Sequence, residues 1–524
     1  MHVRKRKNKS GSTSIFVVAS KRFKNKKNPQ TIMVKSFGSS KDSIEIDRLC
    51  NEASKFATST KYTPFLRINN SDDIKSCNVK NIGFEHMFGE IFNKHFSKKD
   101  MNLDGVNHQI LEELVLMRIA NPASKLKTSK IASDFNCNEL SINKIYKFMD
   151  KLTEDVIGKI KTHVFENTKK LLGSNSIHVL FYDLTTIYFE NNTASDLKKI
   201  GFSKDGKSQH VQISLALSVT QHGLPVGYEI FPGNTYEGKT LIPVLNKLRK
   251  KHNTNDVTII ADSAMLNNYN LKELAEHNFG YIVSARVKNL SASLTERMMD
   301  ENAYTKLNDD ISFQRIVLKN NTLVLCHSKK RSEKDEYERS KTISRLKNFV
   351  GKSSKNTMRG SLKKPYVKLS QDSLVEFDEE KLLHAKKLDG YFGFYTNTSL
   401  EPNAVIAQYR GLWQVEQTFR IAKNNLEIRP VYHYKDRRIA AHFAICFLSL
   451  SLIRTVEYLL SQENQKISLE QLFQLLRKVQ SVEILNKNQK FNILTDIPAE
   501  LQSAYSALKI SRPKVFSVQN FDLM

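Results

Sequence analysis

A chain of 524 residues, 40% apolar and 26% charged, is long enough for several domains and apolar enough to bury a core, which excludes a disordered chain. Its 81 Lys and Arg against 54 Asp and Glu give a net charge of +27, unusual for an enzyme of small metabolites and suited to a polyanionic partner. Part of that excess also fits the Lys, Asn, Ile and Phe bias of AT-rich coding DNA.

Residues 1–30 carry ten Lys or Arg and no acid, around two β-prone stretches at 15–18 and 31–34. They predict a basic β-ribbon followed by a helix over 43–56, either an arm on a phosphate backbone or a solvated tail. From 82 to 172 the apolar residues recur at helical spacing, with helices expected over 109–119, 125–135 and 142–149, the last capped by Ser141. Short helices on short turns, with Lys144 and Lys147 on the exposed side of the last, resemble a helix-turn-helix DNA reader.

A strand-rich stretch follows. Strands are expected over 177–182, 211–220 and 224–231, a helix over 239–251, a strand over 257–261, a helix over 270–276 and a strand over 281–285. The order β-β-β-α-β-α-β is informative by itself. From 288 to 389 the periodicity lapses into short β-prone pieces such as 311–318 and 322–326, with a basic loop at 345–368 holding eight Lys or Arg and no acid. A long helix is expected over 403–425, then further helices, among them 469–479 capped by Ser468. The longest apolar run, 443–453, is short of the ~20 residues that span a bilayer and predicts a buried helix. Five isolated cysteines without C-x-x-C spacing argue against disulfides and a Cys-based zinc site, and no signal peptide is evident. A cytoplasmic protein without a membrane partner is expected.

Three acids stand out by position: Asp183 after the strand ending at Tyr182, Asp262 after the strand ending at Ala261, and Glu416 within the long helix. An acid at the end of an apolar strand is held on a rigid base, and two such strands side by side can share a divalent cation. In the long helix, Tyr409, Leu412, Glu416, Phe419 and Lys423 follow at intervals of three and four and form one stripe. The bland alternative for Glu416 is a surface salt bridge to Arg420 at i+4. Trp413, the only tryptophan, reads as core packing.

Four motifs carry a resemblance: 181–190 (Phe-Tyr-Asp-Leu-Thr-Thr-Ile-Tyr-Phe-Glu), 231–240 (Phe-Pro-Gly-Asn-Thr-Tyr-Glu-Gly-Lys-Thr), 259–264 (Ile-Ile-Ala-Asp-Ser-Ala) and 409–423, from Tyr409 to Lys423. Together, in this order, they resemble bacterial insertion-sequence transposases of the DDE class, in the insertion-sequence-4-like superfamily and its 1634-type branch. The resemblance implies an α/β fold: a ribonuclease-H-like catalytic core interrupted by a β-rich insertion domain, with an N-terminal β-ribbon and a helical DNA-binding region. The implied division is 1–60 arm and helix, 61–172 helical DNA-binding region, 173–289 first part of the core, 290–390 insertion domain, 391–460 second part with the catalytic helix, and 461–524 C-terminal helical region.

It further implies that Asp183, Asp262 and Glu416 are the catalytic triad and the ligands of Mg²⁺ or Mn²⁺, with Tyr409 and Lys423 on the phosphates of a transposon end. Relatives carry Arg where this chain has Leu412, which leaves Arg410 or Arg420 to make that phosphate contact. Some relatives cut through a DNA hairpin and stack a flipped base on an aromatic side chain; Tyr366 or Phe377 is available here, and the sequence selects neither. The partner expected is double-stranded DNA, as terminal inverted repeats and as target, held by a homodimer in a synaptic complex. Two rivals stand beside it: a DNA-binding regulator of transposition that does not cut, which the three acids disfavour and Leu412 keeps open, and a metal-dependent nuclease without a joining step, which the large insertion and basic N-terminal part fit less well.

Overall fold

The computed structural model describes all residues but 1, 22–29, 60–73, 97–100, 102, 138–139, 175–176, 191, 205, 253–256, 263–267, 349, 351–365, 370–374, 487–488 and 521–524. The basic loop expected at 345–368 falls mostly outside the described residues, as does the Ser263-Ala264 end of its motif. The chain divides into two compact units, residues 80–480 with 495–513, and residues 1–79 with 481–494 and 514–524.

In the smaller unit, β1 (His2–Lys7), β2 (Thr13–Lys21) and β3 (Gln30–Ser40) form an antiparallel sheet. The helix Ser43–Ser59 packs Leu49 and Ala53 against Ile15 and Val17 of that sheet. β4 (Ile74–Asn81) begins a second sheet of this unit.

The larger unit is built on a nine-stranded sheet. β5 (Val179–Tyr188), β6 (Gln212–Val219) and β7 (Pro225–Pro232) run antiparallel, and β8 (Thr258–Ala261) and β9 (Gly280–Ala285) run parallel to β5 through the helices Leu241–His252 and Asn268–Glu276. The expected β-β-β-α-β-α-β order therefore folds with spatial order β9-β8-β5-β6-β7. The sheet continues past β9. β10 (Thr305–Lys306), β11 (Ile311–Val317), β12 (Thr322–Ser328) and β15 (Tyr391–Thr396) extend it in the order β10-β11-β12-β15-β9. β13 (Val367–Leu369) and β14 (Val375–Phe377) form a separate hairpin. The segment 290–390 thus adds strands to the common sheet and a small cluster of its own around Met298, Ile316 and Leu325.

One face of the sheet, with Leu180, Tyr182, Leu184, Ile259, Ala261, Tyr281 and Val283, is buried with residues of helices 154–171, 241–252 and 268–276. Each fully buried Leu or Ile there contributes about 1.5–3 kcal/mol relative to exposure, the main term holding helix to sheet. The helix Asp436–Gln462 is buried without a break from Ala441 to Val456, as a core helix is. By length and hydropathy it is able to cross a membrane, but 94% of its apolar window is buried in the fold, as expected for the run 443–453.

Four local expectations are corrected. Strand β5 does not stop at Tyr182: Leu184–Tyr188 pair with β6, so Asp183 lies within the strand. The long helix over 403–425 is broken into Pro402–Arg410, Trp413–Arg420 and a π turn at Ile421–Asn425. Helix Lys329–Leu346 was not foreseen, because it is polar almost throughout and buries only Leu346; Ser328 caps it by accepting from the Arg331 amide at 3.1 Å. The C-terminal stretch is not all helix. Beside Leu469–Lys478, with its Ser468 capping box, and Ala499–Ala507, it holds β16 (Gln480–Asn486), β17 (Gln489–Leu494) and β18 (Phe516–Asn520), which join β4 in sheet order β18-β17-β16-β4.

Candidate active site

Strand register places the first two acids. β5 and β8 run parallel with Phe181 opposite Ile260, so two residues further on Asp183 and Asp262 reach equivalent positions at the end of the pairing. Side chains alternate along a strand. With Leu180, Tyr182, Leu184, Ile259 and Ala261 on the helix-covered face, Asp183 and Asp262 share the opposite one.

Burial pushes the Asp183 carboxyl up to about 6, against the pull of the Lys204 ammonium and of a hydrogen bond from the Leu184 amide; the charges of Asp262 and Glu237 raise it further. Lys204 Nζ lies 3.7 Å from Asp183 Oδ1 and 3.1 Å from Glu237 Oε1, and it donates to the Leu184 carbonyl at 2.6 Å. Glu237 is fixed by a short 3₁₀ turn, Glu237–Lys239, whose carbonyl accepts from Thr240 at 2.7 Å while Tyr182 donates to Thr240 at 2.8 Å. A crowded set of carboxylates is here held together by one lysine.

Glu416 arrives from the other side. Gly411, at the break between two helices, lies against the Phe181 ring so closely that a Cβ there would stand 2.5 Å from Phe181 Cζ. Glycine therefore lets the helix Trp413–Arg420 seat on β5, the strand that carries Asp183. Tyr409 ties the preceding helix to the same face: its hydroxyl hydrogen-bonds Ser284 of β9 and its ring lies 4.5 Å from that of Phe394 of β15. Burial is the main cause that raises the Tyr409 phenol, and the charges of Asp262 and Glu416 add to it, so Tyr409 stands within electrostatic reach of both.

The structure thus gathers Asp183, Asp262, Glu416 and Tyr409 on one side of the sheet. Among the described residues, however, no three acidic, His or Cys side chains converge tightly enough to hold one metal ion. The donors are all hard oxygens, the kind that suits Mg²⁺ or Mn²⁺. Asp183, with a carboxyl pushed up by burial and by two neighbouring acids, is a place where a cation is favoured.

The remaining candidates are spread more widely. Arg420 is exposed at the end of helix Trp413–Arg420 and Lys423 lies half-buried in the π turn. Arg410 acts electrostatically on Asp310 and Cys326, which places it beside β11 and β12. Lys144 and Lys147 are on the exposed side of helix Ile142–Lys151, a different element from those that carry the acids. Leu412 sits half-buried at the break. Trp413 is 52% exposed, so its reading as core packing is wrong: at the first turn of a helix whose inner face is Val415, Thr418 and Phe419, it points outward. Tyr366 and Phe377 come together where the Asp378 amide donates to the Tyr366 carbonyl at 2.9 Å.

Three residues were missed. Lys204 lies in a loop with no strand or helix signal, and Glu237, inside a quoted motif, falls in a short turn rather than directly after a strand. Arg331, whose charge acts on Tyr409, sits on the unforeseen polar helix and lies 5.2 Å from the Phe392 ring.

A family model described as "Transposase DDE domain" matches residues 174–452, which is more than half of the chain. No curated protein is similar to it by sequence. Among solved structures, the piggyBac transposase in a synaptic complex with hairpin DNA is similar over 75% of this chain and 80% of its own, at 9% identity and a TM-score of 0.39. The Mos1 transposase in a paired-end complex is similar over 33% of this chain and 58% of its own, at 13% identity and a TM-score of 0.15. A Mos1 mariner paired-end complex with Mn is similar over 37% and 65%, at 13% identity and a TM-score of 0.14.

Proposed function

Since the chain belongs to the DDE-domain transposase family, we propose that it binds the terminal inverted repeats of an insertion sequence, cuts DNA at the element ends and joins them to target DNA. The insertion-sequence-4-like branch, a ribonuclease-H-like core and a cytoplasmic site of action belong to the same proposal. So does assembly as a homodimer, because two ends have to be held at once. The observation that carries it is the equal register of Asp183 and Asp262 on neighbouring parallel strands, with the Asp183 carboxyl pushed up to about 6 by burial.

Asp183, Asp262 and Glu416 are assigned as the ligands of Mg²⁺ or Mn²⁺, which when bound stabilises the attacking and leaving oxygens of an in-line displacement. The chain's own residues do the rest. Lys204 balances Asp183 and Glu237 against their mutual repulsion. Tyr409, its phenol held protonated, offers an O–H beside Asp262 and Glu416 for a phosphate oxygen. Arg420, Lys423 and Arg331 supply positive charge near that phosphate, and Lys144 and Lys147 contact the duplex further away. In the cutting step a water oxygen attacks phosphorus and the DNA 3′-oxygen leaves as a hydroxyl; in joining, that hydroxyl oxygen attacks a target phosphorus, the target strand's P–O3′ bond breaks, and the target 3′-oxygen leaves as a hydroxyl that takes up the displaced proton.

The test is incubation of purified protein with labelled DNA carrying the element ends and a supercoiled target, in Mg²⁺ and in EDTA. Metal-dependent joined products are expected. Binding without cutting would leave a regulator of transposition, and cutting without joining would leave a nuclease.

A further inference from the structure

Away from the acids, a cavity of about 470 Å³ opens between helices Gly105–Ala120 and Lys125–Ile131 and the segment 427–433. Its wall contains two cations that are almost wholly buried: Arg118, 5% exposed, and Lys125, 4% exposed. Arg118 donates to the carbonyls of Ala123 at 2.8 Å and Leu426 at 3.4 Å, and its Nε has no partner among the described residues. The Lys125 ammonium has no hydrogen bond or ion pair among the described residues. Buried His442 also lines the cavity as a neutral ring whose Nε2 donates to the Ile428 carbonyl at 3.3 Å.

The electrostatics agree. Burial pulls Lys125 down to about 7, and the Arg118 charge adds to the effect. His433 on the same wall is driven down to about 3 by burial and then by the charges of Lys125, Arg118 and Arg438. Glu427 is the acid on the lining; it is exposed and pairs with neither buried cation among the described residues. Burying a charge costs several kcal/mol unless a counter-charge meets it. A wall with two buried cations, an Arg118 Nε–H that is unmatched among the described residues, and no buried acid on the lining has the chemistry of an anion site.

The rim identifies the anion. Tyr432, 59% exposed, lines the mouth with Arg429 and Lys127, and exposed Tyr434 and Arg437 follow in the chain. Exposed aromatics interleaved with cations suit a nucleic-acid strand, whose bases stack while its phosphates are neutralised. We propose that this cavity receives a phosphate group of the DNA backbone, held by Lys125 and Arg118, as a binding site separate from the acid cluster. The proposal rests on the reading of the chain as a DNA-acting protein, but the pocket itself can be tested without any cutting.

The experiment uses the full-length protein, its Lys125→Met variant and its Lys125→Arg variant. Thermal unfolding is followed in inorganic phosphate and in chloride at constant ionic strength, and binding to element-end duplex is followed by anisotropy across a salt series. Phosphate is expected to raise the melting temperature of the wild type and of Lys125→Arg, but not that of Lys125→Met. Lys125→Met is itself expected to fold, because it replaces an unmatched buried charge with a side chain of similar length. Its affinity for the duplex should fall about tenfold and its salt slope by about 0.9, one phosphate contact. An equal phosphate response in Lys125→Met would overturn the pocket. A lost phosphate response with unchanged DNA affinity and slope would show a site for free phosphate and overturn the DNA assignment. Loss of both in a protein that never cuts would uphold the pocket while the transposase reading fails.

Discussion

Two regions of the larger unit bury charge without balancing it, and they do so with opposite sign. Around Asp183, carboxylates from β5, the end of β8 and the Glu237 turn crowd about one lysine. Around Lys125, two buried cations face a cavity with no buried acid. A third buried site shows what balance looks like. Arg454, on helix Asp436–Gln462, donates to the Gly223 carbonyl at 2.9 Å, to the His222 carbonyl and Gln414 Oε1 at 3.0 Å, and to Glu457 at 2.8 Å. The balanced site ties helices to the β6–β7 turn and serves the fold. The unbalanced ones are those the proposals above assign to ligands, a cation at the acids and a phosphate at the cavity, the two charges that phosphodiester chemistry brings together.

This contrast can be broken most severely at the balanced site. Arg454→Met should destabilise the protein by about 3–5 kcal/mol, because Glu457, already pushed up by burial, loses its partner, and denaturant unfolding measures the loss. A loss under 1 kcal/mol would mean that Arg454 is no better matched than Lys125. Gly411→Ala should cost about 1–3 kcal/mol, since the new methyl meets the Phe181 ring, and it should lower cleavage more than DNA binding by moving Glu416 off β5. Equal losses in both would detach the helix from the chemistry.

The Asp183 site makes a prediction of sign. Its folded carboxyl, at about 6, lies above the unfolded value of 3.8, so the folded state binds the extra proton and gains stability as pH falls from 6 towards 4. Asp183→Asn removes that dependence. The variant should be more stable than the wild type above pH 6, of order 1 kcal/mol after allowing for a side chain a quarter exposed, with the difference vanishing near pH 4. Melting curves across pH 4–8 check it, and a difference that grows towards acid would reverse the account. Trp413→Ala, on an exposed side chain, should change stability by less than about 0.5 kcal/mol in the same assay.

Much of the core sheet was legible because its strands are short apolar runs bounded by turns, and their order alone implied β5–β9. Asp183 and Asp262 were found by position, although β5 proved to run on past Asp183, since only its antiparallel partner β6 extends the pairing there. The helix break at Gly411 was hidden because intervals of three and four persist across it, and the need for glycine comes from Phe181, which is 230 residues away. Helix Lys329–Leu346 has no apolar stripe to detect. Strand β16 pairs with β4, which lies some 400 residues earlier in the chain, a pairing that local pattern does not contain. Lys204, Glu237 and Lys125 matter through what the fold brings next to them, and a single sequence carries no such signal.

The most direct test of the acids is cleavage of element-end DNA over a Mn²⁺ titration by the wild type and by Asp183→Asn, Asp262→Asn and Glu416→Gln. Each substitution should lower metal-dependent cleavage by about 10³-fold or more while DNA binding stays within a few-fold. Full cleavage by any one of them would remove that residue from the site and contradict the assignment of the three acids.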